Sequence, residues 1–312
     1  MSTPAFQLPS FAKINWSLRI LGRRADGYHE VRTILQTVSL QDELQFSARA
    51  GQEVILSCND PEIPLGGDNL IVRAGNALRD QFGIGDGASI HLEKRVPTKG
   101  GLGGASSNAA IALLGLARLW SLDIGLVGLM EIGSRLGADV PFFFVGGRVL
   151  ATGTGTDLKA IDDGAQKHLV IITPNAAVST ARAYESLKAP ALTTFSVASI
   201  LSSSRADEIS ELSHLCPPHN DFEDAIFKSE PEIARAKNAL LQAGASSSLL
   251  AGSGSSVFGI FDNKQEQERA VNDIQAEIGW RVFSAITVSR REYQQALGSC
   301  GVPLSRSDLA LN

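Results

Sequence analysis

The stretch Pro97-Thr98-Lys99-Gly100-Gly101-Leu102-Gly103-Gly104-Ala105-Ser106-Ser107-Asn108 decides how the rest of this 312-residue chain is read. Its four glycines in five positions let the backbone turn where a side chain would clash, leaving amide N–H groups free to converge on an anion. Residues 109–120 behind it are apolar at most positions and interrupted only by Gly115. A buried helix is expected there, with Ser106, Ser107 or Asn108 as its N-cap. A glycine loop feeding a helix N-terminus points free donors and the positive dipole end the same way, as a phosphate site requires. No Gly-Lys-Ser/Thr follows, so this is not a Walker A loop, and Ser106 stands where a dinucleotide fingerprint needs its third glycine. On these residues alone a phosphate cradle and a plain tight turn both remain open.

Upstream, weak alternation over 11–21 predicts a strand with Lys13 and Asn15 on one face. Asp26-Gly27 signals a hairpin, and 31–40 reads as the returning strand, with further β structure over 44–57. A helix is expected over 69–82 and a short strand over 88–95. Downstream, 125–136 reads as a helix with Gly137 as its C′ residue, and 140–145 as a buried strand. Another strand is expected over 148–152. A polar turn around 161–167 marks a boundary between residues 1–166 and 167–312. The second part presents strands at 169–173, 257–261 and 280–288 and helices at 231–243 and 265–277, the element order of a ferredoxin-like sandwich. The class is therefore α+β.

Composition narrows the functions. A net charge of −5 argues against a nucleic-acid binder, while leaving room for small anions held by a few local cations. Cys58, Cys216 and Cys300 are odd in number and widely spaced, so a reducing compartment fits and no disulfide framework emerges. His214-x-Cys216-x-x-His219 lacks further ligands nearby, and no metal site is expected. No signal peptide or membrane span is legible, and a soluble cytoplasmic protein is expected.

Two charged residues sit where burial would be costly unless they are paired: Lys13, inside an apolar strand, and Asp139, before three phenylalanines. Each read singly is a solvated strand-end residue. Read with the glycine loop, they supply what phosphoryl transfer to an alcohol needs, a carboxylate to take the hydroxyl proton and a cation to hold developing charge.

The whole string from Pro97 to Asn108 closely resembles the phosphate loop of the GHMP small-molecule kinases, which include galactokinase, homoserine kinase and mevalonate kinase. Further blocks follow in order: Phe11-Ala12-Lys13-Ile14-Asn15, Gly22-Arg23-Arg24-Ala25-Asp26-Gly27-Tyr28-His29, Asp68-Asn69-Leu70-Ile71, Gly137-Ala138-Asp139-Val140-Pro141, His219-Asn220-Asp221-Phe222 and Ala251-Gly252-Ser253-Gly254-Ser255. They resemble the branch that phosphorylates the 2-hydroxyl of a cytidine-diphosphate-linked methylerythritol in non-mevalonate isoprenoid synthesis.

The resemblance implies a two-domain fold, a ribosomal S5 domain 2-like ATP-binding part and a ferredoxin-like part. It implies Lys13 and Asp139 as catalytic residues, ATP and Mg²⁺ as cofactors, and the loop from Pro97 through Ser107 on the ATP phosphates. It puts Asn69 near the adenine, Asn15 on the substrate side, Tyr28 and His29 on the cytosine, and Tyr184 on the other face of that ring. Gly252, Ser253 and Gly254 either back the substrate diphosphate or form a turn leading into a strand. The expected partner is this small molecule, with no nucleic acid or membrane, on a monomer or weak homodimer. Rival readings are a superfamily kinase for a smaller alcohol and a non-catalytic sensor. Lys99 and Ala105 depart from the family's usual small residue and glycine, and Ala105 is tolerable only at negative φ.

Overall fold

The computed structural model describes residues 5–176, 178–187, 218–275 and 277–301. The frame is a long antiparallel hairpin of β1 (Phe6–Arg23) and β2 (His29–Arg49). Both strands outrun the expected limits because buried apolar positions continue past them, Leu8 at one end and Leu44 and Phe46 at the other. The turn forms where Asp26-Gly27 indicated, with Gly27 at φ +89° and the Asp26 carboxylate accepting from the Tyr28 N–H at 3.1 Å.

On one side β2 pairs with β4 (Gly87–Glu93), which pairs in parallel with β3 (Val54–Cys58). The expected β structure over 44–57 is thus the end of β2 and a separate β3. The start of β2 also pairs with β5 (Arg148–Thr152), and β5 with β6 (Asp157–Ala160). The short β8 (His219–Asn220) joins β1 in parallel.

Helices α1 (Leu70–Phe82), α2 (Gly104–Leu119) and α3 (Leu126–Leu136) cover this sheet. Asn69 caps α1, its Oδ1 accepting from the Ile71 N–H, and Gly83 ends it at φ +66°. The central helix α2 is apolar on nearly every face and almost wholly buried.

Three local expectations need correction. First, α2 begins at Gly104 with Gly103 at its N-cap and no side-chain cap, so Ser106, Ser107 and Asn108 lie inside the helix. Ser107 and Asn108 are buried and bond the Ser10 hydroxyl instead, which lies 2.8 Å from Ser107 Oγ and donates to Asn108 Oδ1 at 2.6 Å. Second, Gly137 has φ 176°, extended backbone rather than a left-handed C′ residue. Third, residues 140–145 form no strand. Pro141 opens a single-turn helix α4 (Phe142–Val145) whose four side chains are all buried. A short run buried on every side has no period with which to choose between the two structures.

The second sheet comprises β7 (His168–Pro174), β9 (Ser247–Leu250), β10 (Val257–Phe261) and β11 (Trp280–Ile286). Its order is β11-β7-β10-β9, antiparallel throughout, as in a ferredoxin-like sandwich. Helices α7 (Pro231–Gln242) and α8 (Lys264–Ile274) pack on it through Ile233, Ala236 and Leu240 and through Ala270 and Ile274. Three shorter α-helices are α5 (Thr180–Ser186), α6 (Glu223–Ser229) and α9 (Arg290–Leu297), the last running into a 3₁₀ turn at Gly298–Cys300.

The two sheets meet through an apolar layer. Ala12, Ile14, Val38, Val96 and Leu102 cluster with Leu169, Ile171, Leu249, Phe258, Ile260 and Ala285. α9 crosses back to the first core, where Tyr293 is fully buried against Phe11 and its hydroxyl donates to Phe143 O.

Candidate active site

The glycine loop owes its shape to restraints on both sides. Gly101 and Gly103 take φ of +73° and +72°, and Lys99, which is not a glycine, takes +56°. Leu102 is buried, and its carbonyl accepts from the Lys13 N–H at 2.9 Å, which ties the loop to β1. From the other side, Ser255 N–H donates to Lys99 O at 3.3 Å and Ser256 N–H to Gly100 O at 3.1 Å. The second glycine–serine stretch therefore leads into β10 and buttresses the first. Ala105 sits in the first turn of α2, which meets the condition of a negative φ.

Beneath the loop lies a buried charge that the sequence reading missed. Asp42 Oδ1 accepts from the Arg95 and Val96 N–H groups, both at 2.7 Å. Its Oδ2 accepts from Lys94 Nζ at 2.8 Å and Asn108 Nδ2 at 3.0 Å. One carboxylate thus fastens both the chain entering the loop and the helix leaving it. The only signal was an acidic residue within an otherwise apolar-alternating stretch.

Two clefts use the loop as a wall. The smaller, about 360 Å³, is lined by Pro97 through Ser106 with Ile63, Asn69, Lys94 and Asn108. The larger, about 910 Å³, takes in Lys13, Asn15, Tyr28, His29, Asp139, Tyr184, Gly252 and Ser253. Gly101, Gly103 and Ser106 line both. Among the remaining expected residues, Ser107 is buried inside α2. Gly254 is turned inward, with its N–H donating to Ala251 O at 2.8 Å. Asn69 lines the smaller cleft, but Pro64 O and the Ile71 N–H occupy its side chain.

Lys13 and Asp139 come together in the wall of the larger cleft. Lys13 Nζ lies 3.4 Å from Asp139 Oδ2; the lysine side chain is 5% exposed and the aspartate 41%. Gly103 makes room for the lysine stem, since a Cβ there would stand 2.9 Å from Lys13 Cγ and 3.0 Å from Phe143 Cζ.

A β-bulge sets which side chains of β1 reach the cleft. Asn15 faces Leu35 but Ser17 faces Ile34, so Trp16 is the extra residue. Lys13 and Asn15 line the cleft, and the next lining residue is Leu18 rather than Ser17. The bulge has reset the alternation. On β2 the period of two is unbroken, through His29, Val31, Thr33 and Leu35.

The far end of the cleft is aromatic. His29 and Tyr184 stack with centroids 4.7 Å apart, which leaves no room for a third ring between them, and Tyr184 meets Phe222 edge-on at 4.9 Å. Tyr28 is 67% exposed. Burial, helped by the nearby Arg23 charge, holds the His29 imidazole below its ordinary pKa, which favours the neutral ring. Burial, with Asp139 adding repulsion, pushes the Tyr184 phenol up to about 12.

Among the described residues no group of three His, Cys, Asp or Glu side chains could hold a metal ion. His214 and Cys216 lie outside the described residues, and His219 pairs with Asp221. No helix among the described residues is long and apolar enough to cross a membrane.

Residues 69–147 match the family described as GHMP kinases N terminal domain, and residues 197–278 the GHMP kinases C terminal family. A 4-diphosphocytidyl-2-C-methyl-D-erythritol kinase from Syntrophotalea carbinolica is 38% identical over 279 residues, covering 89% of this chain and 97% of that protein. One from Geobacter metallireducens is 38% identical over 273 residues, covering 88% and 95%. A crystal structure of 4-(cytidine 5'-diphospho)-2C-methyl-D-erythritol kinase superposes with a TM-score of 0.73 at 30% identity, covering 90% of this chain and 99% of that one. A homoserine kinase from Cytophaga hutchinsonii shares the fold, with a TM-score of 0.66 at 19% identity, covering 91% and 95%.

Proposed function

The chain belongs to the 4-diphosphocytidyl-2-C-methyl-D-erythritol kinase family of the GHMP kinases, and on that footing we propose that it transfers the γ-phosphoryl group of ATP to the 2-hydroxyl of 4-diphosphocytidyl-2-C-methyl-D-erythritol. The observation that carries this reading is the Lys13–Asp139 pair in the larger cleft, which shares Gly101, Gly103 and Ser106 of the glycine loop with the smaller one.

In this reading the nucleotide enters the smaller cleft and its phosphates lie along the loop, where backbone N–H groups and the start of α2 favour anions. The acceptor occupies the larger cleft with its cytidine end near Tyr28, His29 and Tyr184. Asp139, half-exposed and therefore reachable, orients the hydroxyl and takes its proton. The acceptor oxygen bonds to the γ-phosphorus as the bond to the β-phosphate bridging oxygen breaks, and ADP leaves with the electron pair. Lys13, buried and already beside Asp139, holds negative charge on the transferring group.

A divalent ion fits the site on donor chemistry. Mg²⁺ is normally held by phosphates, waters and one or two protein oxygens, and the Ser106 hydroxyl and the Asp139 carboxylate both line the larger cleft. Bound there, it would neutralise charge on the β- and γ-phosphate oxygens. One chain carries both clefts and every proposed site residue, which supports a monomer as sufficient for the reaction.

The test is ATP consumption with this substrate, wild type beside Asp139→Asn. Removing a general base is expected to lower kcat by about 10²–10⁴-fold with the fold intact by circular dichroism. Turnover of homoserine or mevalonate in place of the cytidine compound, or no turnover at all, would overturn the assignment.

A further inference from the structure

Behind Lys13 runs a single file of hydrogen bonds that the phosphoryl transfer described above does not use. Lys13 Nζ donates to Asn15 Oδ1 at 2.8 Å. Asn15 Nδ2 donates to Thr33 Oγ1 at 2.8 Å, and Thr33 Oγ1 donates to the Ser17 carbonyl at 2.7 Å. Lys13, Asn15, Ser17 and Thr33 are each 5% exposed or less, so water does not compete strongly for any of these groups.

The direction of the file follows from valence. A threonine hydroxyl has one proton, and here it goes to the Ser17 carbonyl. Toward Asn15 it can only accept. Asn15 must therefore turn its NH₂ to Thr33 and its oxygen to Lys13. The reverse orientation would set an NH₂ donor against an ammonium, which has no lone pair to offer. The bulge at Trp16 gives the file its anchor, because it shifts the register between Asn15 and Ser17 opposite Thr33's own strand.

We propose that Thr33 is a positioning residue for the transfer, orienting the Asn15 carboxamide and through it the Lys13 ammonium beside Asp139. It acts on the placement of charge and not on the packing of the sheet. The proposal rests on the kinase reading for its kinetic consequence, while the orientation of Asn15 is measurable without any substrate.

The variants are Thr33→Val, which keeps the shape and removes the hydroxyl, and Thr33→Ser, which keeps the hydroxyl. Misplacement of a catalytic group is felt mainly in the chemical step, so Thr33→Val is expected to lower kcat about tenfold with both KM values within about twofold. Thr33→Ser is expected to recover at least about half of the lost rate by restoring the same donor and acceptor. In an Asn15→Ala background, Thr33→Val should cost less than about twofold, since residues acting through one another are not additive. The Asn15 side-chain amide protons, followed by ¹H–¹⁵N NMR, should exchange slowly with water in the wild type and fast in Thr33→Val. An unchanged kcat in Thr33→Val, or Thr33→Ser as impaired as Thr33→Val, would overturn the proposal. Unaltered Asn15 amide exchange would do the same. If the wild type fails to phosphorylate the substrate, the kinase reading falls by itself, and the amide signals decide the role of Thr33.

Discussion

Replacing Gly101 with alanine puts a methyl group where the two glycine-rich stretches touch. The added Cβ would run into the Ala251 carbonyl oxygen, stand 2.9 Å from its carbon and 3.0 Å from Gly254 O. All three atoms are backbone, so no rotamer change relieves the clash. The position is also at φ +73°, where an L-residue costs roughly 1–2 kcal/mol. To make room the loop must withdraw from the second stretch. That sacrifices the hydrogen bonds from Ser255 N–H and Ser256 N–H, each contributing about 0.5–1.5 kcal/mol net. Gly101→Ala is therefore expected to lose about 2–5 kcal/mol of stability, a fall in Tm of about 3–8 °C for a chain of this size.

Nucleotide binding should suffer too. Losing one N–H donor to a charged phosphate, worth about 1.5–3 kcal/mol, raises the Kd for ATP about tenfold or more. Scanning calorimetry and isothermal titration read the two effects, with Gly66→Ala as the control, because nothing lies within 4 Å of a Cβ there. A Gly101→Ala protein that melts within about 2 °C of wild type and binds ATP normally would refute the interlocked-loop geometry.

Three further outcomes are expected. Asp42→Ala strands the Lys94 ammonium, whose side chain is 6% exposed, and should cost about 3–5 kcal/mol in urea unfolding. Arg23→Ala should raise the His29 midpoint only partway to its ordinary value in an NMR titration, because burial is the larger cause of its depression. The depressed midpoint also means that His29 costs stability as pH falls below about 6.5, where the unfolded chain takes up the proton first. The Tyr184 phenol, raised by burial to about 12, contributes stability present below pH 10 and lost as pH climbs toward 12, because the unfolded chain ionises first. Tyr184→Phe should flatten part of that loss in unfolding curves between about pH 10 and 12, and Tyr293, raised by burial as well, should account for more of it.

The elements with a clear period or a sharp stop were legible from the sequence. The helix from Asn69 to Gly83 carried its own cap and terminator, and 257–261 its apolar run. Lys13 and Asp139 stood out because charge in an apolar context needs a partner, and the structure puts them 3.4 Å apart. What escaped was set by tertiary contact. Phe142-Phe143-Phe144-Val145 has no polar face to report its period, so strand and helix looked alike. Ser107 and Asn108 are good caps locally, but the fold turns them to Ser10 and Asp42. Thr33 was hidden for another reason, since a threonine in a strand is ordinary until its neighbour across the bulge is known. The Tyr184–His29 stack likewise depends on α5 meeting β2, which no local pattern announces.

The placement of Tyr293 bears on how the chain is made. It fills the first core between Phe11 and the turn around Phe143, against a Gly146 whose added Cβ would collide with its ring. During synthesis the hairpin, the glycine loop and α2 all leave the ribosome long before this residue does. Until α9 arrives, the pocket for its ring stands open and the Phe143 carbonyl lacks that donor. The nascent kinase thus holds its first core unfinished until α9 reaches Phe11 and the Phe143 carbonyl.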